Sequence, residues 1–285
     1  MAFFVRLCDD YGGPVSSFQK SLFRNLIALF IALVVFLREK HSDSLALTEP
    51  VALSTKHCAL STARSAKAKA LALLLLRSAF GCAGIFGNFY ALSKIPIGEA
   101  MTLNKTAPFF AVIGAAVFLG EKLRARTLVA LAIAFTGAML VMKPGFQGAD
   151  TFATLCAIGG GLGAGLAYTC VRELGVLKVR GSLIVLFFSA FSSIASLPFL
   201  LRGVDPMTPV QLLIMLGAGA GAAIGQFGVT AAYRFAAPGE IAVFDYSNVI
   251  FTSLLGLVFL GQIPDALSVA GFALIVLASL YSRRQ

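Results

Sequence analysis

Gly87-Asn88-Phe89, Gly98-Glu99 and Phe118-Leu119-Gly120-Glu121 recur, in the same order, as Gly225-Gln226-Phe227, Gly239-Glu240 and Phe259-Leu260-Gly261-Gln262. The separation from Glu99 to Gly120 equals that from Glu240 to Gly261. One long apolar segment lies in each interval, and the second copy begins five such segments after the first. In a membrane, an odd offset inverts the second copy relative to the first.

The composition places the repeat in a bilayer. With 58% hydrophobic residues, 13% charged residues and a mean hydropathy of +0.88, the chain has more apolar surface than one soluble core can hide. A helix needs roughly 17–25 apolar residues to cross about 30 Å of hydrocarbon. Segments near that length fall at about 18–37, 71–91, 99–119, 127–142, 151–171, 182–201, 210–233, 241–260 and 266–281, and no soluble domain remains outside them. Overlaying the copies matches 71–91 with 210–233, 99–119 with 241–260, 127–142 with 266–281 and 18–37 with 182–201. The partner of 151–171 should precede residue 18, where only the apolar run Met1–Leu7 stands. Seven residues cover about 10 Å of helix, so this first helix is expected to be incomplete, through an upstream start or a natural truncation. The fold expected is an all-α integral membrane protein of two inverted five-helix repeats, at 1–142 and 151–281, with nine full spans present. The stretch from Arg38 to Ala70 reads as a long polar loop.

A net charge of +10 raises nucleic acid as a partner, but that requires a basic face on a folded domain, and here the charges lie in the connections. If the loop after residue 37 is cytoplasmic, 15 of the 23 basic residues fall inside and five outside. The positive-inside rule then puts the carboxyl end in the cytoplasm. The five cysteines lack CxxC spacing and both histidines sit in one polar loop, so neither a metal site nor a cofactor is expected.

Phe23-Arg24-Asn25-Leu26, Leu76-Arg77-Ser78-Ala79-Phe80-Gly81, Asn88-Phe89-Tyr90-Ala91, Leu103-Asn104-Lys105-Thr106-Ala107-Pro108-Phe109-Phe110 and Asp245-Tyr246-Ser247-Asn248 resemble the EamA-like branch of the drug/metabolite transporter superfamily. The resemblance runs from about residue 18 to 281 and takes in both halves. It implies ten helices in two inverted repeats, both termini cytoplasmic, a bacterial inner-membrane location and movement of small organic metabolites by alternating access. The chain departs from the pattern in its first helix.

Ionisable groups inside spans are costly and normally face a cavity or a partner. Four stand out: Arg24, Arg77, Lys105 and Asp245. The repeat sets Asn104 opposite Asp245 and Lys105 opposite Tyr246, so the same two positions are polar in both halves. Counting from span ends puts Arg24 and Lys105 about 9 Å below the outer edge and Arg77 and Asp245 about 6–10 Å above the inner one. On that count, Arg77 with Asp245 is the expected ion pair and Arg24 with Lys105 an outer cationic layer, and no direct pair between Lys105 and Asp245 is expected. The bland alternative is that the cations bond helix ends or snorkel. Asp245 is the candidate for proton coupling, since desolvation and a nearby cation act on it in opposite directions. Asn88, Tyr90, Asn104, Gln226, Tyr246 and Asn248 could hydrogen-bond a substrate or a neighbouring helix. Glu99 and Glu240 read as helix-start residues favoured by the dipole, or else as gates. Gly159 to Gly165, and Gly217, Gly221 and Gly225, read as close-contact stripes, and Pro108 as a bend. The partners expected are a small-molecule metabolite and the lipid bilayer, with a second copy of the chain a further candidate. A membrane enzyme would need a catalytic constellation at one depth, which the sequence lacks; a non-transporting remnant is the other alternative.

Overall fold

The computed structural model describes residues 11, 15–40, 56–145, 150–200, 203, 205–261 and 263–283, and among these there is no strand. The helices are α1 (Ser17–Lys40), α2 (Lys56–Lys94), α3 (Ile97–Asn104), α4 (Ala107–Leu119), α5 (Ala125–Met142), α6 (Thr151–Val176), α7 (Gly181–Leu200), α8 (Pro209–Phe235), α9 (Pro238–Ile241), the 3₁₀ turn Ala242–Tyr246, α10 (Ser247–Leu260) and α11 (Ala266–Arg283). Helices are the expected answer to a solvent without hydrogen bonds, because every interior backbone group is satisfied within its own segment.

All nine apolar segments are helical. Eight are long and apolar enough to cross a membrane, two of them as broken pairs, Gly98–Leu119 and Pro238–Phe259. The ninth, Ala266–Ser282, is shorter, about 26 Å at 1.5 Å per residue. Large apolar side chains such as Phe30, Phe118, Ile224 and Val258 stand exposed along these helices, as a lipid-facing surface requires. The run Met1–Leu7 and the incomplete first helix inferred from it lie outside the described residues.

The expected loop from Arg38 to Ala70 is corrected in its second half. α2 begins at Lys56, because alanines recur through residues 59–70 and alanine is the best helix former; a reading by hydropathy sees only the apolar part that follows.

The repeated motif has a local cause. Gly120 and Gly261 follow the last residues of α4 and α10, with φ of 67° and 62°. Their N–H groups bond back to Ala115 O and Gly256 O. This left-handed cap strains any residue with a Cβ, so the same helix stop is written as Phe-Leu-Gly in both copies.

The chain forms two compact units, each drawing on both copies. The first takes the chain up to Ala79 and Cys170–Phe235, the second Phe80–Thr169 and the chain from Ala236. In the first, α1 lies along α7 and α8. Gly219 of α8 permits close approach of α1, since a Cβ there would stand 2.5 Å from Ile27 Cβ; Gly225, expected in the same role, faces open space. In the second, α5 packs on α11, and Leu131, Ala134, Val243, Tyr246 and Ile275 share its core.

Candidate translocation site

Two interruptions define the site in the second unit. α3 stops at Asn104, and Lys105 and Thr106 turn before α4. Pro108 lacks an amide hydrogen and its ring crowds the carbonyl four residues back, so it sits in the first turn of α4. At the matching place in the second copy, residues 242–246 tighten into a 3₁₀ turn between α9 and α10.

The two breaks are fastened to each other. Lys105 Nζ donates to the Asp245 carbonyl at 3.4 Å, and the Tyr246 hydroxyl donates to the Lys105 carbonyl at 2.8 Å. Tyr246 is fully buried, its ring edge-on to Phe135, which is in turn edge-on to Phe109. The repeat-matched positions 105 and 246 therefore touch. The contact runs through the Asp245 carbonyl and not its carboxylate, so it is no ion pair; what it corrects is the depth count, which set the two residues in different layers. The helices begin at Ile97 and Pro238, earlier than the counted span ends, and a 3₁₀ turn rises about 2.0 Å per residue instead of 1.5. Counted from those starts, each break lies about 12–14 Å along its span, near the middle of a core roughly 30 Å thick.

Asn88 and Asn104 flank Gly160: a Cβ on that glycine would meet Asn104 Nδ2 at 3.3 Å and the Asn88 amide nitrogen at 3.4 Å. The Asn88 Oδ1 is buried without a hydrogen-bond partner. Within the glycine stripe of α6, Gly163 closes on Phe80 O and Gly165 on Ala107 O, which makes that part a packing surface, whereas Gly159 faces open space. Tyr90 sets its ring edge-on to Phe152. Asn248 is exposed, and its carbonyl and side-chain oxygens accept from Thr252 Oγ1.

In the first unit, Arg77 is 4% exposed, donates to Gln226 Oε1 at 3.1 Å and lies 3.7 Å over the Phe188 ring. Two sequence candidates thus meet there. Arg24 bonds Asn25 Oδ1 through Nε and Nη2 at 3.3 and 3.0 Å, and Asn25 Nδ2 donates to Ser192 Oγ at 2.6 Å. The expected ion pair of Arg77 with Asp245 and the expected cationic layer of Arg24 with Lys105 each draw one residue from either unit.

Two features escaped the sequence reading. Ser182, Ser189, Ser192, Ser193 and Ser196 are buried on α7, and their spacing of three, four and seven is a helical stripe that was there to be read. Glu99, expected as a helix-start residue, is 2% exposed and makes no side-chain cap bond; Glu240, its counterpart, is exposed. Outside the spans, Lys143 pairs with Asp265, and together with Ser268 it holds that carboxyl down to about 2. Among the described residues no three His, Cys, Asp or Glu side chains converge as a metal site would require.

The EamA-like transporter family profile matches residues 8–143. A riboflavin transporter of Rhizobium johnstonii is 30% identical over 210 residues, 74% of this chain and 69% of its own. The pseudopaline exporter of Pseudomonas aeruginosa is 29% identical over 210 residues, 73% of each chain. An uncharacterized transporter of Helicobacter pylori is 25% identical over 98% of this chain and 88% of its own. One crystal structure superposes with a TM-score of 0.79 at 16% identity, covering 98% of this chain and 91% of that one, which is a likeness of fold.

Proposed function

Since the chain belongs to the EamA-like transporter family, a group of membrane transporters of small metabolites, we propose that it moves its substrate by alternating access through a pathway lined from both repeats. The observation that carries this reading is the pair of fastened helix breaks, Lys105 Nζ on Asp245 O and Tyr246 Oη on Lys105 O. Interrupted spans at repeat-matched, mid-membrane positions are where carriers bind substrates and ions, because an irregular backbone at that depth is tolerated only beside protein or a water-filled cavity.

The roles follow from chemistry. Lys105, Asn88 and Asn104 present one cation and two amides at the break, suited to a polar or anionic organic compound. Arg77 and Gln226 form a second polar station, and Arg24 a third beside the α7 serines. Tyr90 and Asn248 bound the pathway, and Tyr246 holds the breaks together. Asp245 couples transport to protons, its carboxylate next to the carbonyl that Lys105 engages. The repeats span 1–142 and 151–281 in inverted sense, and the carboxyl end faces the cytoplasm of an inner membrane, as the distribution of lysine and arginine supports. Relatives named for riboflavin and pseudopaline support a substrate of metabolite size.

The test is flux in proteoliposomes across labelled amino acids, nucleosides and carboxylates, with riboflavin added, with and without a proton gradient. Gradient-driven accumulation of one compound, lost in Asp245→Asn, is expected. Flux that ignores the gradient in both chains overturns the coupling role, and absence of flux for every compound argues against the carrier reading.

A further inference from the structure

Within the spans of the second unit, two charged side chains stand near mid-membrane depth: Lys105 at the first break and Asp245 at the second. The unit's other described lysines, arginines and carboxylates fall in the first or last turn of a span or between spans. Outside the spans, Lys143 and Asp265 bring ammonium and carboxylate together. At the breaks the chain does not, although the partners are within reach.

An ammonium has three donors. Among the described residues Lys105 Nζ uses one, on the uncharged Asp245 carbonyl at 3.4 Å, longer than the roughly 2.7–3.2 Å of a well-formed N–H···O bond. The Asp245 carboxylate accepts no hydrogen bond and forms no ion pair among the described residues. Both side chains are half-buried and not sealed. Hydrocarbon does not solvate a charge, so two partly exposed charges at this depth face a water-filled space or a ligand.

Their separation bounds what fits. A carboxylate oxygen of aspartate stands no more than about 6 Å from the same residue's carbonyl oxygen. With Nζ at 3.4 Å from that carbonyl, ammonium and carboxylate are further apart than an ion pair and no more than about 9 Å apart. In a compound that carries both charges on one carbon, nitrogen and carboxyl carbon are about 2.5 Å apart. With a charge-assisted bond of about 2.8 Å at either end, such a compound spans a gap of that size.

We infer that the paired breaks bind a zwitterion, a small compound whose anionic group takes the two remaining donors of Lys105 and whose ammonium takes the Asp245 carboxylate. The inference rests on the carrier reading and names the substrate class of that site. The Tyr246 bond to the Lys105 carbonyl involves neither charge, so the ligand is received without unfastening it.

The test is calorimetric binding to the full chain in detergent micelles, with probes matched in skeleton. Phenylalanine, hydrocinnamate and phenethylamine make one trio, leucine, isocaproate and isopentylamine another, and riboflavin is the uncharged reference. At least one zwitterion is expected to bind about tenfold or more tightly than either of its singly charged relatives. Asp245→Asn should erase its advantage over the carboxylate and keep that over the amine; Lys105→Met should do the reverse. A loss shared equally by all three compounds is what a purely structural role gives, and it overturns the inference. So does riboflavin or a singly charged compound that binds as tightly as the zwitterions, or the failure of every zwitterion to bind. If either variant fails to fold, Lys105→Arg and Asp245→Glu, which keep the charges, decide beside the wild type: the same ranking in all three supports the site, and its absence rejects it. Exchange in proteoliposomes without a proton gradient separates the two readings, since it needs no coupling. Zwitterion binding with no exchange of any compound rejects the carrier and leaves the site, whereas exchange of riboflavin or a carboxylate in preference to every zwitterion keeps the carrier and rejects the inference.

Discussion

Replacing Tyr246 by phenylalanine removes one hydroxyl from the centre of the second unit and leaves the ring where it is. The ring is fully buried, edge-on to Phe135, so Tyr246→Phe changes neither volume nor aromatic contact. What it loses is the 2.8 Å bond to the Lys105 carbonyl, an acceptor at a helix break; the α4 amides of Phe109 and Phe110 bond Thr106 O instead. A neutral buried hydrogen bond contributes about 0.5–1.5 kcal/mol net, and one between membrane helices averages about 0.6. Orphaning the carbonyl adds to this, which brings the expected loss to about 1 kcal/mol, roughly a fivefold shift in the folding equilibrium. The chain contains no tryptophan, so unfolding by SDS in mixed micelles is best followed by far-ultraviolet circular dichroism. Combining Tyr246→Phe with Lys105→Met, which removes the reciprocal contact to Asp245 O, should show a coupling of at least about 0.5 kcal/mol if the two bonds act as one latch. An unchanged midpoint in Tyr246→Phe, or strict additivity in the double variant, refutes the fastening of one break to the other.

The glycine caps should be stability sites of equal rank: Gly120→Ala and Gly261→Ala each force a Cβ into a left-handed backbone and should cost about 1–2 kcal/mol, whereas Gly225→Ala, facing open space, should be near neutral in the same SDS titration. Ser192→Ala leaves Asn25 without its 2.6 Å partner inside the α1 and α7 seam, and should cost about 1–2 kcal/mol in the same titration. The Asp265 carboxyl, held down to about 2 by Lys143 and Ser268, has a folded value below its unfolded value near 3.9. Its stabilisation is therefore complete above about pH 4 and disappears as pH falls through about 2. Carboxyl-resolved NMR titration should find that midpoint and see it rise towards the ordinary aspartate range in Lys143→Met.

The spans were legible because a bilayer leaves little choice: nine apolar stretches at or near spanning length were expected to be helices, and all nine are, eight of them long enough to cross. The first break was legible too, through Pro108. The second was not, since residues 242–246 contain no proline; there the backbone tightens where Val243 and Tyr246 are packed into the core with Leu131 and Ile275, a tertiary cause with no local signal. That missed 3₁₀ turn is also why uniform counting put Asp245 too shallow. The start of α2 was misplaced for a different reason, as lysines among alanines lower hydropathy without lowering helix propensity. Glu99 read as a helix-start residue because its position in the first turn is fixed by sequence, while its burial depends on how closely Gly98 lets α3 approach Met142.

The repeat conserves geometry at the site without conserving charge. Positions 105 and 246 are matched, both mark an interrupted span, and each reaches the backbone of the other's break, yet one is a cation and the other a phenol. Positions 104 and 245 are matched as well, one an amide and the other a carboxylate. Two copies of one backbone device therefore place a single cation and a single anion at mid-membrane depth instead of two of each. A symmetric pair of lysines would repel across the latch, and a pair of tyrosines would hold it shut with nothing to attract a substrate. Divergence at these four positions thus leaves a closed latch that also has a charge to offer, and exchanging Lys105 and Tyr246 should retain the fold while abolishing flux, a result that flux measurements on a folded Lys105→Tyr, Tyr246→Lys chain would contradict if transport survived.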